Sequence, residues 1–177
     1  MPTSVLVHAN LRYDNGRANK FLATGAQRLT FSVTSPDFTI TLPGIAPIRM
    51  NEHPLHHDKP HLRYLGSDGP YTVSVMTPTA DGRMTAADCA GSMVKRLVAR
   101  PGMPPLDSIF RARLNDRTYA AIYAMPGAGK PVLHAHILSA ATGGTHCIEV
   151  HVSRIAGSQD DVAPWFKGVG AADIEAR

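Results

Sequence analysis

Two stretches late in the chain alternate apolar and polar side chains with a period of two. They are Val132-Leu133-His134-Ala135-His136-Ile137-Leu138 and Cys147-Ile148-Glu149-Val150-His151-Val152-Ser153. As strands, they place Leu133, Ala135, Ile137, Ile148, Val150 and Val152 on one face, the pattern of a sheet packed on a core. The opposite face collects His134, His136, His151, Glu149 and Cys147. Thr142-Gly143-Gly144 divides the two arms, which predicts a hairpin. A two-residue loop at Gly143-Gly144 sets His136 opposite His151, Leu138 opposite Glu149 and Ala140 opposite Cys147. A three-residue turn would put His136 opposite a core-facing residue and dissolve the cluster.

The same reading extends along the chain. Residues 4–11 and 28–34 each fit a strand, joined by a polar stretch around Asp14-Asn15-Gly16. Phe38-Thr39-Ile40-Thr41-Leu42 alternates cleanly and ends at Pro43-Gly44. Residues 43–62 are rich in proline and histidine and are expected to be loop. Tyr71-Thr72-Val73-Ser74-Val75-Met76 is the next strand. A helix is predicted over 85–100, where Ala86, Cys89, Ala90, Met93, Val94 and Leu97 form an apolar stripe at helical spacing. Thr85 and Asp88 fit a capping box at its start. Lys95, Arg96 and Arg100 suit the negative end of its dipole, and Pro101-Gly102 stops it. Strands at 110–114 and 118–125 flank a turn at Asn115-Asp116, which gives four consecutive antiparallel strands after the helix. Residues 160–167 read as a short final helix carrying Trp165 and Phe166 into the core. The expected core is Phe38, Ile40, Val73, Val75, Met93, Leu97, Ile137, Val150 and Trp165.

Composition narrows the class. With 177 residues, 44% hydrophobic and 18% charged, the chain can bury a sizeable core and is not disordered throughout. Fourteen prolines and fifteen glycines argue against a helical bundle. No apolar run approaches the roughly 20 residues of a membrane helix, so no membrane span is expected. The start of the chain lacks the basic and apolar regions of a signal peptide, which fits either a cytoplasmic protein or a mature exported chain. The net charge of +4 is spread among acids and few aromatics, so nucleic-acid binding is not expected. The organisation expected is an extension or early strands over 1–35 and a single α+β domain over 36–177, with a central antiparallel sheet of five to seven strands.

The element order gives a family resemblance. A strand ending in Leu42-Pro43, a strand at Tyr71–Met76, a helix opening at Thr85, a strand meander and a terminal Trp165-Phe166 helix together resemble the PsbP-like family. That family includes extrinsic subunits of the photosynthetic oxygen-evolving complex, a Ran-binding nuclear import factor and bacterial envelope proteins. The resemblance covers roughly residues 36–170. It implies an α/β/α sandwich and a non-enzymatic binding or assembly role. It carries over no functional residue, since members share architecture more than sites.

Candidate chemistry is sparse. His134, His136, His151 and Glu149 can meet across the hairpin at spacings suited to zinc or copper; half-buried polar residues are the plainer reading. Glu52-His53-Pro54-Leu55-His56-His57-Asp58-Lys59-Pro60-His61 matches no structural zinc spacing and reads as a solvated loop. Gly127-Ala128-Gly129-Lys130 superficially resembles a phosphate loop, but it joins two strands and Pro131 follows the lysine, so it is rejected. No Gly-x-Ser-x-Gly elbow is present. Cys89, on the helix stripe, and Cys147, on a strand, can either remain buried free thiols or bridge the helix to the sheet. The bridge is expected, provided the helix covers the face opposite Ile148, Val150 and Val152.

The expected function is therefore a non-enzymatic binding or assembly protein of the bacterial cell envelope. It would be periplasmic or secreted, monomeric and without a cofactor, with a protein or other envelope component as partner. The alternative is a metal-binding protein or metal-dependent hydrolase using the four hairpin residues, and cytoplasmic if the cysteines are free.

Overall fold

The structure is a computed structural model that describes residues 30–34, 38–43, 51–52, 61–79, 82–157, 165 and 168–176, with side chains from His61 onward except Asp68. Residues 4–11, most of the histidine-rich stretch at 52–61, and Phe166 lie outside the described residues, as do the side chains of Phe38 and Ile40.

Among the described residues, ten strands form two sheets. They are β1 (Thr30–Thr34), β2 (Phe38–Pro43), β3 (Asn51–Glu52), β4 (Leu62–Asp68), β5 (Tyr71–Met76), β6 (Phe110–Arg113), β7 (Tyr119–Met125), β8 (Val132–Ala140), β9 (Cys147–Ile155) and β10 (Asp173–Ala176). The larger sheet has seven strands in the order β3-β4-β5-β9-β8-β7-β6, and the smaller has the order β1-β2-β10. Every pairing is antiparallel. Helix α1 (Ala86–Val98) opens on Thr85, whose hydroxyl accepts the Asp88 N–H while the Asp88 carboxylate accepts the Thr85 N–H. That reciprocal cap satisfies two otherwise orphaned donors.

The hairpin register matches the two-residue expectation: His136 pairs with His151, Leu138 with Glu149, and Ala140 with Cys147. The loop itself differs. Ala141 N–H donates to His146 O at 3.0 Å, and Gly144 N–H donates to Ala141 O at 2.8 Å, so four residues, 142–145, make the connection. Two and four are both even, so the longer loop leaves every side chain on its expected face. Gly144, at φ +72°, needs glycine on two counts, because a Cβ there would meet Met84 O and Arg83 Cγ at 2.8 Å.

Alternation buries both faces of the large sheet. One face packs Val73, Val75, Leu133, Ala135, Ile137, Ile148, Val150 and Val152 against Trp165, Val169, Ala172 and Ile174. The other packs Ala121, Tyr123, Leu138 and Cys147 against Cys89, Met93, Val94 and Leu97 of α1. The first cover combines the helical residues Trp165 and 168–170 with β10 of the small sheet. The α+β class and the antiparallel sheet stand, with strands dominating and that cover only partly helical.

One expectation needs correction, and two strands were not anticipated. Residues 43–62 are not all loop, since β3 pairs with β4 at Asn51–Leu65 and Glu52–Tyr64. Strand β4 escaped the alternation pattern because its register shifts between Leu62 and Tyr64 and a glycine fills the buried position at 66. Strand β10 is four residues long and carries two acids, so it has almost no apolar signature. Asp173 on that strand accepts bonds from Asn115, Arg117 and Thr118, which ties β10 to the β6–β7 turn.

Candidate functional site

The meander and the helix together assemble the polar face of β7, β8 and β9. Pairings Ala121–His136 and Tyr123–His134 bring β7 alongside the hairpin histidines. Four rings then lie nearly parallel: Tyr123 stacks on His134 at 5.0 Å and on His136 at 5.8 Å, and His151 stacks on His136 at 4.3 Å and on His134 at 5.3 Å.

Hydrogen bonds run through this stack. His136 Nδ1 lies 2.8 Å from Glu149 Oε1, and its Nε2 lies 3.1 Å from the Tyr123 hydroxyl. A neutral imidazole has one donor and one acceptor. Both ring nitrogens of His136 are thus engaged, one by the Glu149 carboxyl group and one by the Tyr123 hydroxyl, with the donor and acceptor roles set by the tautomer. The second oxygen of Glu149 faces Arg96 Nη2 at 3.6 Å, which supplies the countercharge that a carboxylate only 5% exposed requires. His134 Nδ1 and His151 Nε2 share a further bond of 3.0 Å.

The surroundings disfavour the charged forms of His134, His151 and Tyr123. Burial, together with repulsion from His136, pushes His134 down to about 4. Burial, then His136, His134 and Arg100, push His151 down to about 3. Burial pushes Tyr123 up to about 12, opposed by Arg100 and aided by Glu149, so it remains a phenol and a donor. The structure thus brings together all four hairpin residues singled out by the sequence, and adds Tyr123 and Arg96. Alternation along β7 puts Tyr119, Ala121 and Tyr123 on the histidine face once the meander register is known, whereas Arg96 depends on how α1 rests on the sheet.

In this arrangement the imidazoles bond to each other, to the phenol and to the carboxylate. Among the described residues, no group of three His, Cys, Asp or Glu side chains is disposed to hold a metal ion. The stack can relay a proton from Tyr123 through His136 to Glu149, but His136 and Glu149 are both buried. Gly127 to Lys130 occupy the exposed β7–β8 connection, a strand-to-strand loop. Of the 52–61 stretch, only the His61 side chain is described, and it is exposed.

The disulfide holds one flank of α1 to this surface. Cys89 and Cys147 are bonded with Cα atoms 5.7 Å apart, inside the usual range. Cys89, Met93 and Arg96 recur at helical spacing along one flank of α1, and Cys89 and Arg96 reach Cys147 and Glu149 of β9. The other flank, Ala90, Gly91, Val94, Lys95 and Val98, turns towards β6 and stands off from it. Between them opens a cleft of about 460 Å³ whose β-sheet side includes Arg111, Ala112, Tyr119, Ala120 and Ala121, with Leu106 at its end.

The fold and these sites define an α+β protein built on an antiparallel sheet, with one helix tethered by a disulfide over a buried imidazole–tyrosine–carboxylate cluster. No family profile matches the chain, and no curated protein sequence matches it. Among solved structures, the chain is similar to LpqN, described as involved in cell envelope biogenesis of Mycobacterium tuberculosis. The identity is 15% and the TM-score 0.46, over 86% of this chain and 94% of that one. No residue role is carried over from it. Among the described residues, no helix is long and apolar enough to cross a membrane.

Proposed function

We propose that this protein is a non-enzymatic binding or assembly protein of the bacterial envelope, working in the periplasm or after secretion. The observation that carries the reading is the contrast between the two flanks of α1. On the β9 flank Tyr123, His136 and Glu149 are buried, His134 and His151 are half-buried, and all five are bonded within the cluster. On the β6 flank an open, mostly apolar cleft is lined by Lys95, Arg111 and Tyr119 but by no carboxylate, serine, cysteine or imidazole among the described residues. A surface of that kind binds rather than reacts. The Cys89–Cys147 bridge supports an oxidising compartment, because cytosolic thiols are kept reduced. The resemblance of the element order to the PsbP-like family is in keeping with an adaptor role. The partner expected is a protein or other envelope component, with the chain acting as a monomer and without nucleic acid.

A second reading follows from the convergence of His134, His136, His151 and Glu149 on one face. Were the His134–His151 and His136–Glu149 bonds exchanged for a zinc or copper ion, the same residues would act as ligands of a metal-binding protein or a metal-dependent hydrolase. Elemental analysis of protein purified without a histidine tag separates the two. Stoichiometric zinc or copper supports the metal reading and overturns the first; no metal retained after zinc and copper challenge supports the first. Thiol titration of denatured, unreduced protein from its native host tests the compartment, where two free thiols would overturn an extracytoplasmic home.

A further inference from the structure

The cleft between α1 and β6 has a chemistry that specifies its occupant. Its floor and walls are small or apolar: Ala90, Gly91, Val94, Ala112, Ala120 and Ala121. Two of the large apolar side chains that remain exposed, Val98 at 38% and Leu106 at 46%, lie on it. Lys95 and Arg111 stand on opposite sides, one on the helix and one on the sheet. Both are exposed, and neither forms a salt bridge to a described residue. No acidic residue lines the cleft. Exposed apolar surface between two unpaired cations is unfavourable to leave in water and complementary to an apolar group flanked by negative charge.

We infer that this cleft docks a segment of a partner protein in which one or two apolar anchors are flanked by Asp or Glu. The inference rests on the binding reading above and names the partner's chemistry. The shape favours a peptide over a lipid chain. The cleft is a half-open trench, so an acyl chain laid in it would keep one side in water, whereas a peptide turns its polar side chains outward. Alanines and a glycine along the trench let another backbone come close. Lys95 and Arg111, reaching in from the two walls, then meet the acidic residues on either side of the anchor.

The test uses the full chain and an array of synthetic decapeptides pairing Leu, Phe or Val anchors with Asp and Glu, each with a counterpart carrying Lys and Arg instead. The best acidic peptide is then titrated by fluorescence anisotropy. Selective binding of the acidic set is expected, weakened at least tenfold by Lys95→Glu/Arg111→Glu and strengthened at low salt. Val98→Ser/Leu106→Ser should weaken it at every salt concentration, while Lys130→Glu, on the exposed β7–β8 loop, should leave it unchanged. Unaltered melting and near-ultraviolet dichroism certify that the variants are folded. Equal binding of acidic and basic peptides, or binding indifferent to Lys95→Glu/Arg111→Glu, overturns the inference. Binding to phosphatidylglycerol vesicles or dodecanoate that this double variant abolishes, without selective peptide binding, makes the occupant a lipid and also overturns it. A dimer dissociated by the double variant makes the occupant a second copy, with the same consequence. In those last two cases the binding reading survives; stoichiometric metal would instead remove that reading.

Discussion

Replacing Cys89 and Cys147 together by alanine removes the covalent tie between α1 and β9, and its cost can be estimated from chain statistics. The bridge joins residues 58 positions apart. Closing a loop of that length lowers the entropy of the unfolded chain enough to stabilise the fold by about 4 kcal/mol. For a chain of this size that is roughly 8–16 °C in melting temperature, or about 2 M in urea midpoint at a slope near 2 kcal/mol/M. Deleting two sulfurs from positions 1% and 7% exposed adds a packing loss. Reduced wild-type protein, which keeps the sulfurs, therefore isolates the cross-link. Urea denaturation of oxidised, reduced and double-alanine protein should rank them in that order of stability. The unfolding slope should also rise once the bridge is gone, because a freer unfolded chain exposes more surface. A difference below about 0.5 M between oxidised and reduced protein would refute the argument, since the bridge would then not be restricting the unfolded chain as proposed.

Other consequences can be measured in the same way. Gly144→Ala should destabilise by about 2 kcal/mol or more, because its Cβ meets Met84 O and Arg83 Cγ at φ +72°, while Gly143→Ala, at φ +87° with open space, should cost about 1 kcal/mol; equal urea midpoints would contradict this. Unfolded imidazoles take up protons near pH 6.5 that folded His134 and His151 refuse until about pH 4 and about pH 3. Stability should therefore be full above about pH 7 and fall as the pH drops through 6.5 towards 4, with His136 and Arg100 facing the pair and adding to the penalty. A melting temperature that stays flat from pH 7 to 4 would show that these imidazoles titrate normally. Tyr123→Phe removes the donor to buried His136 Nε2 and should cost about 1–2 kcal/mol in chemical denaturation; an unchanged midpoint would mean that the bond does not form.

How far the sequence reveals this molecule depends on where alternation is strong. The β8–β9 hairpin was legible because its apolar positions, Ala135 apart, are β-branched or leucine and one even-length loop fixes its register. That register put Cys147 on the face opposite Ile148, Val150 and Val152, so the expected bridge to Cys89 depended on α1 covering that face, which it does. The helix start was legible from Thr85 and Asp88 alone. Strand β4 was not, because a register shift after Leu62 and a buried Gly66 replace the usual signature with backbone geometry. Tyr123 and Arg96 were missed for another reason. Each belongs to an element read correctly, but their roles depend on the meander order β9-β8-β7 and on the rotation of α1, which only tertiary packing specifies.

That rotation connects the two candidate sites. The 5.7 Å Cα separation at Cys89–Cys147 and the Arg96–Glu149 ion pair draw the β9 flank of α1 down onto the histidine stack. A helix held along one flank lifts the other unless large side chains fill the gap, and on the β6 side the small Ala90, Gly91 and Ala121 lie among Val94, Lys95, Val98, Arg111 and Tyr119. Small residues at those positions leave the trench open and put Lys95 and Arg111 across it from each other. The buried polar cluster then acts as the anchor that fixes the helix angle, and the cleft is the surface that this angle exposes. Breaking the anchor should therefore alter binding at the cleft. Glu149→Leu removes the buried charge that draws Arg96 in, and it should change acidic-peptide affinity severalfold although Glu149 does not line the cleft. Unchanged affinity in a folded Glu149→Leu protein would show that the two flanks are independent.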